Sequence, residues 1–131
     1  MICAKSDPNR YQTSYTDGVH VGIAGTTAEK GGTHSGFRPH DLLEAALAAC
    51  ISMTLRMYAD RHEIPLQTVM TKVDLDRSNP DRTIFRYDLE IDGDLTAAQR
   101  DKLFAVASTC PVSKTLSRDV EFLRCTLASK N

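Results

Sequence analysis

Apolar and polar positions alternate with two distinct periods along this chain. The longest periodic stretch runs from His40 to about Arg61 and contains no glycine or proline. Within it, Leu43, Ala46, Leu47, Cys50, Met53, Thr54 and Met57 recur at steps of three and four. That period predicts one long helix, and Pro39 suits its first position. The run Ala45-Ala46-Leu47-Ala48-Ala49 is apolar on every side and made of small side chains. This half of the helix is therefore expected to be deeply buried, with another element packed closely against its backbone. The second half carries Arg56, Asp60 and Arg61 and is amphipathic, and Pro65 breaks the chain beyond it.

Period two appears on either side of the helix. After it, Val69, Thr71, Val73 and Leu75 alternate with polar residues, as do Phe85, Tyr87, Leu89 and Ile91. Ser78-Asn79-Pro80-Asp81 between them is turn chemistry, so the two strands are expected to form a hairpin. Before the helix, Tyr11 to Ala24 reads as another hairpin around Thr16-Asp17-Gly18, with Gly22 weakening its second strand. The glycine-rich loop from Gly25 to Gly36 lacks the Lys-Ser/Thr ending of a phosphate-binding loop.

Asp92-Gly93-Asp94 closes the strand before it, and Thr96-Ala97-Ala98-Gln99 has the form of a capping box. It opens a second helix with Leu103, Val106 and Ala107 on its apolar stripe. Cys110-Pro111 interrupts that helix, because a residue before proline is pushed out of the α region. Pro111 then starts a short helix through Leu116, and a last strand is expected from Val120 to about Leu127. The order β-β-α-β-β-α-β predicts an α+β fold, antiparallel hairpins flanking a long central helix, in a single domain over residues 1–131.

Composition narrows the function. The 131 residues include 16 basic and 17 acidic side chains, which leaves no nucleic-acid footprint or membrane-surface patch. No apolar run approaches the roughly 18 residues that span a bilayer. The start, Met1-Ile2-Cys3-Ala4-Lys5-Ser6-Asp7, lacks the pattern of a secretion signal, so a cytoplasmic protein is expected. A core of this size is modest, and oligomerisation would add to it.

The four cysteines, Cys3, Cys50, Cys110 and Cys125, are widely spaced. They form neither a disulfide scaffold nor a zinc-ligand pattern, and no metal or cofactor is expected. Cys50 lies mid-helix on the apolar stripe and reads either as a small core residue or as a reactive thiol. Cys110 precedes a proline-started helix, where unpaired N–H groups and the dipole can lower a thiol pKa, with Lys114 one turn on. It reads equally as a cysteine that merely ends a helix. Cys3 and Cys125 read as structural or incidental. Any contact between Cys50 and Cys110 is tertiary and does not follow from their spacing.

The wording of the chain adds to this reading. Gly31-Gly32-Thr33, Pro39-His40-Asp41-Leu42-Leu43, Ala45 to Cys50 and Ser52-Met53-Thr54-Leu55-Arg56-Met57-Tyr58-Ala59 resemble the OsmC/Ohr family. Ala107-Ser108-Thr109-Cys110-Pro111-Val112-Ser113-Lys114-Thr115-Leu116 resembles its second cysteine block, led into by Gly93-Asp94-Leu95-Thr96. The resemblance covers about Tyr11 to Leu127 and is nearer the OsmC-like branch than typical Ohr.

The resemblance implies an intertwined homodimer with central helices packed together under β-sheets and two active sites at the interface. It also implies a thiol peroxidase for organic hydroperoxides, less so for hydrogen peroxide. Cys50 would be peroxidatic and Cys110 resolving, with an external thiol or dithiol as reductant. Burial of Cys50 would call for a nearby cation. The family supplies an arginine held by a glutamate; here His40 takes the glutamate's place. Asp41 or Glu44 could substitute for it, and Arg10 or Arg38 could be the arginine. Each of these five also reads as a solvated surface group. The rival readings are a small apolar ligand-binding module and a redox sensor with little turnover.

Overall fold

The computed structural model describes residues 1–127. They divide into two compact units, Met1–Leu42 with the residues from Glu121 onward, and Leu43–Val120.

The first unit is built on an antiparallel sheet in the order β1 (Cys3–Ser6), β2 (Thr13–Thr16), β3 (Val21–Ala24). The expected hairpin is β2–β3, with Thr16 opposite Val21. Its turn is fastened by Asp17, whose carboxylate accepts the backbone N–H groups of Val19 at 2.9 Å and His20 at 2.7 Å. The tip of the Tyr15 ring crosses Gly22: a Cβ there would lie 2.3 Å from it and would push the ring aside.

Two expectations change in this unit. A further strand, β1, pairs with β2 from Cys3 opposite Thr16 to Ser6 opposite Thr13. The last strand expected from Val120 to Leu127 is absent over the described residues 121–127. Alternation alone does not make a strand; it needs a sheet edge to pair with. No described strand pairs with this segment, and Phe122 and Leu123 are 93% and 80% exposed.

Helix α1 (Pro39–Arg61) enters the second unit at Leu43 and is followed there by β4 (Leu66–Asn79) and β5 (Arg82–Gly93). The two strands form the expected hairpin, with Val69 opposite Ile91 and Leu75 opposite Phe85. Helices α2 (Ala97–Ala107) and α3 (Pro111–Leu116) complete the unit. Both halves of the capping box are present: Gln99 N–H donates to the Thr96 hydroxyl and Thr96 N–H to the Gln99 side chain. Pro111 starts α3 as expected.

The core gathers Leu47, Ile51, Leu55 and Ala59 from α1 with Leu66, Ile91, Leu103, Ala107 and Cys110. Polar ties set α1 on the hairpin. The Glu44 carboxylate accepts the Leu75 N–H at 2.8 Å, Ser52 and Thr71 hydroxyls meet at 2.8 Å, and Arg56 donates to the carbonyls of Leu66 and Gln67.

The predicted apolar stripe of α1 needs correction. Its buried side is the series Leu47, Ile51, Leu55, Ala59, whereas Leu43, Met53 and Met57 are 44%, 61% and 54% exposed. Ala45, Ala46 and Ala49 are exposed as well, so the small-residue stretch is not buried within one chain. The helix is apolar on two sides and the hairpin covers one of them. By length and composition alone the helix would also suffice to cross a membrane, a criterion that core helices of soluble proteins meet as well.

Leu55→Ala removes a fully buried side chain from this core and is expected to lower unfolding free energy by about 2–5 kcal/mol. Thr96→Ala removes one half of the capping box and is expected to cost about 1 kcal/mol. Urea melts of both variants check the order.

Candidate active site

Helix α1 carries Cys50 at the boundary between its covered and uncovered sides. The residue is half-buried and packs against the core that contains Cys110. Cys110 is held from the other direction by the break between α2 and α3. Its N–H reaches the Ala107 carbonyl at 3.4 Å and its carbonyl accepts from Lys114 N–H at 3.1 Å. The backbone between those bonds is extended (ψ 128°), as a residue before proline requires. The side chain is fully buried.

The fold brings the two sulfurs into a hydrogen bond, and their environments push them apart in acidity. Burial alone pushes the Cys50 thiol up. The hydrogen bond from Cys110, another from the Val112 N–H and a third from the Thr54 hydroxyl outweigh it, so the Cys50 pKa lies below the usual thiol value. The Thr54 bond is the weakest of the three. Its oxygen lies 2.7 Å from the Cys50 carbonyl, and its one proton serves one acceptor at a time.

Cys110 moves the other way. Burial pushes it up first, and the bond to Cys50 holds its proton in place; N–H groups of Ser113 and Val112 offset this only in part. The expectation that the start of α3 would acidify Cys110 is thus reversed. The Val112 amide also serves the Cys50 sulfur, and complete burial decides the rest. Within the pair Cys50 is the more acidic thiol and Cys110 holds its proton more firmly. The bonds from Cys110 and from the Val112 N–H lead the lowering at Cys50.

The other predicted residues fall in different places. Arg38 grips Asp41, with Nε–Oδ1 at 2.9 Å and Nη2–Oδ1 at 2.5 Å, and this contact holds the Asp41 carboxyl below its usual pKa. Glu44 is taken up by the β4 backbone. His40 is exposed on the first turn of α1. Arg10 stands at positive φ (34°) beside Tyr11 (64°) in the loop between β1 and β2. Cys3 and Cys125 are exposed. Among the described residues no three His, Cys, Asp or Glu side chains gather as a metal site. Sequence reasoning missed Val112 and Thr54. Thr54 sits four positions after Cys50 on one helix, a spacing that brings side chains together.

A family model described as OsmC-like protein matches residues 32–122, more than half of the chain. The chain belongs to the OsmC-like family. Solved structures agree on the fold. An OsmC organic hydroperoxide resistance protein from Legionella pneumophila is 25% identical, with a TM-score of 0.64 over 89% of each chain. A putative osmotic stress induced and detoxification response protein from Psychrobacter arcticus is 21% identical, with a TM-score of 0.73 over 87% of this chain and 85% of that one. The organic hydroperoxide resistance protein OhrB of Bacillus subtilis is 23% identical, with a TM-score of 0.62 over 89% of each chain. No curated protein matches the chain.

In this OsmC-like protein, iodoacetamide should alkylate Cys50 before Cys110. The Cys50 rate follows its thiolate, so it falls as pH drops through a pKa below the usual thiol value. Cys110→Ala removes a hydrogen-bond donor to the Cys50 sulfur and should move the inflection up. Peptide mass spectrometry across a pH series reads both shifts.

Proposed function

We propose that this OsmC-like protein reduces organic hydroperoxides, and hydrogen peroxide less efficiently, through a cycle of Cys50 and Cys110. One observation carries the reading: two hydrogen-bonded cysteines differ in acidity and access, the lower pKa belonging to the more accessible one. The names of the Legionella and Bacillus proteins, which are organic hydroperoxide resistance proteins, support it.

The Cys50 thiolate attacks the terminal oxygen of ROOH and the O–O bond breaks. Cys50 becomes a sulfenic acid, and the departing RO⁻ takes a proton to leave as ROH. The Cys110 sulfur then attacks the sulfenic acid. A disulfide forms, and the hydroxyl leaves as water with the Cys110 proton. An external dithiol reduces the disulfide by exchange and is itself oxidised to a disulfide. The half-buried, apolar surroundings of Cys50 favour apolar hydroperoxides over hydrogen peroxide.

We assign to Arg38 and Asp41 the arginine–carboxylate partnership that the family resemblance implies, since they are already paired. Glu44 is engaged by β4, and Arg10 and His40 are left as variants to test. The protein acts in this reading as a cytoplasmic homodimer. The uncovered apolar side of α1, with Leu43, Met53 and Met57, supports the association.

Reduced protein mixed with one equivalent of cumene hydroperoxide should consume it and yield a peptide joining Cys50 to Cys110. Cys50→Ser should abolish consumption. Cys110→Ser should still consume one equivalent and leave a dimedone-reactive sulfenic acid on Cys50. Unchanged thiols and intact peroxide would overturn the proposal. Disulfide formation without catalytic turnover in excess dithiol would point to a sensor instead.

A further inference from the structure

The donors around the Cys50 sulfur differ in how they are held. The Val112 N–H is part of the backbone at the start of α3, and the Cys110 thiol is buried in the core. The Thr54 hydroxyl is a rotor. It sits one helical turn after Cys50 on the same line of α1, half-buried as Cys50 is. Its oxygen lies 2.7 Å from the Cys50 carbonyl and also reaches the Cys50 sulfur.

The carbonyl does not depend on that hydroxyl. In an α-helix the N–H of residue 54 already bonds the carbonyl of residue 50, and a carbonyl oxygen has two lone pairs. The hydroxyl is a second donor there, the back-bonding that threonine makes within helices. When the O–H turns away, the carbonyl keeps its helical bond. Only one proton rotates about the C–O bond, so no heavy atom has to move.

The charge on the sulfur decides which acceptor wins. A neutral thiol sulfur is a weak acceptor and loses to a carbonyl. A thiolate accepts a charge-assisted bond, roughly twice as strong as a neutral one, and wins. The other two donors do not follow the charge in this way. The Val112 N–H stays where the backbone puts it, and the Cys110 thiol gives up its proton when its sulfur attacks the sulfenic acid.

We propose that Thr54 is a positioning residue of the attack step, its hydroxyl resting on the Cys50 carbonyl while the sulfur is neutral and turning onto the sulfur when the thiolate forms. The turn supplies a donor as the charge appears and withdraws it once the disulfide leaves the sulfur neutral. Thr54 keeps its proton throughout. This deepens the peroxidase reading and rests on it for the attack; the turn itself needs only the Cys50 thiol and its two neighbouring acceptors.

Thr54→Val keeps the β-branched shape and removes the hydroxyl, whereas Thr54→Ser keeps the hydroxyl and removes the methyl. Neither touches the backbone bond of the helix, and urea melts report the folding of each; Thr54→Ala replaces the valine variant if that one does not fold. Two rates are followed against pH: consumption of cumene hydroperoxide in excess dithiothreitol, and iodoacetamide alkylation read on the Cys50 peptide. Of the groups bonded to the Cys50 sulfur Cys110 alone titrates, and every variant retains it. Thr54→Val should move the inflection of both rates up, making it slower than the wild type below the inflection and level with it above. Thr54→Ser should bring both inflections back. A purely packing role would lower the rates alike at every pH and leave the inflections in place.

Coincident profiles for Thr54→Val and the wild type overturn the proposal, and so does a serine variant that behaves like the valine one. A shifted alkylation profile with no peroxide consumed even by the wild type sinks the peroxidase reading and keeps the role of Thr54. Peroxide consumption by the wild type with an unshifted Thr54→Val alkylation profile does the reverse.

Discussion

One two-stranded hairpin covers one side of a helix, and α1 is apolar on two. Much of the second unit follows from that mismatch. The side that wins burial, Leu47 to Ala59, does so with help from polar ties at both ends of the contact: Glu44 to Leu75 N–H, and Arg56 to the carbonyls of Leu66 and Gln67. Each tie satisfies a backbone group at the strand while fixing the rotation of the helix. Rotation is what places Cys50. It falls neither in the core nor in the open but on the line between them, and a thiol on that line is packed on one side and reachable on the other.

The chemistry at that line is governed by which partner is more deeply buried. A thiol is a weak hydrogen-bond donor, and a thiolate is a far better acceptor than a neutral sulfur. When two cysteines share a proton bond, the charge therefore settles on the one with more donors around it and less burial. Cys50 has the Val112 amide, the Thr54 hydroxyl and the Cys110 thiol; Cys110 has complete burial. The result is a division of labour set by burial and by hydrogen bonds to the two sulfurs.

Much of the fold was readable from local signals. The absence of glycine and proline from His40 to Arg61 marked α1, Thr96 and Gln99 marked the start of α2, and Pro111 marked α3. Each is a rule about neighbours in sequence. What escaped was tertiary. Nothing local says which apolar side of α1 the hairpin covers, so helical spacing puts Leu43, Met53 and Met57 on the same stripe as Leu47. Strand β1 is four residues, Cys3-Ala4-Lys5-Ser6, too short and mixed to show a period. Residues 120–127 alternate well but meet no edge among the described strands. The acidity of Cys110 is set first by its burial and then by Cys50 on another helix, neither of which is a local signal. Arg38 and Asp41, three apart at a helix start, could have been paired from sequence; Glu44 reaching β4 could not.

The capping box at Thr96 and the proline at Pro111 act together as a ruler. One sets where α2 begins and the other forces where regular structure stops, so the number of residues between them determines the direction in which Cys110 leaves the chain. A helix turns about 100° per residue, so a single insertion between Thr96 and Cys110 would swing the cysteine by over a quarter of a circle. Substitution in this stretch is a matter of packing, but its length is a matter of aim.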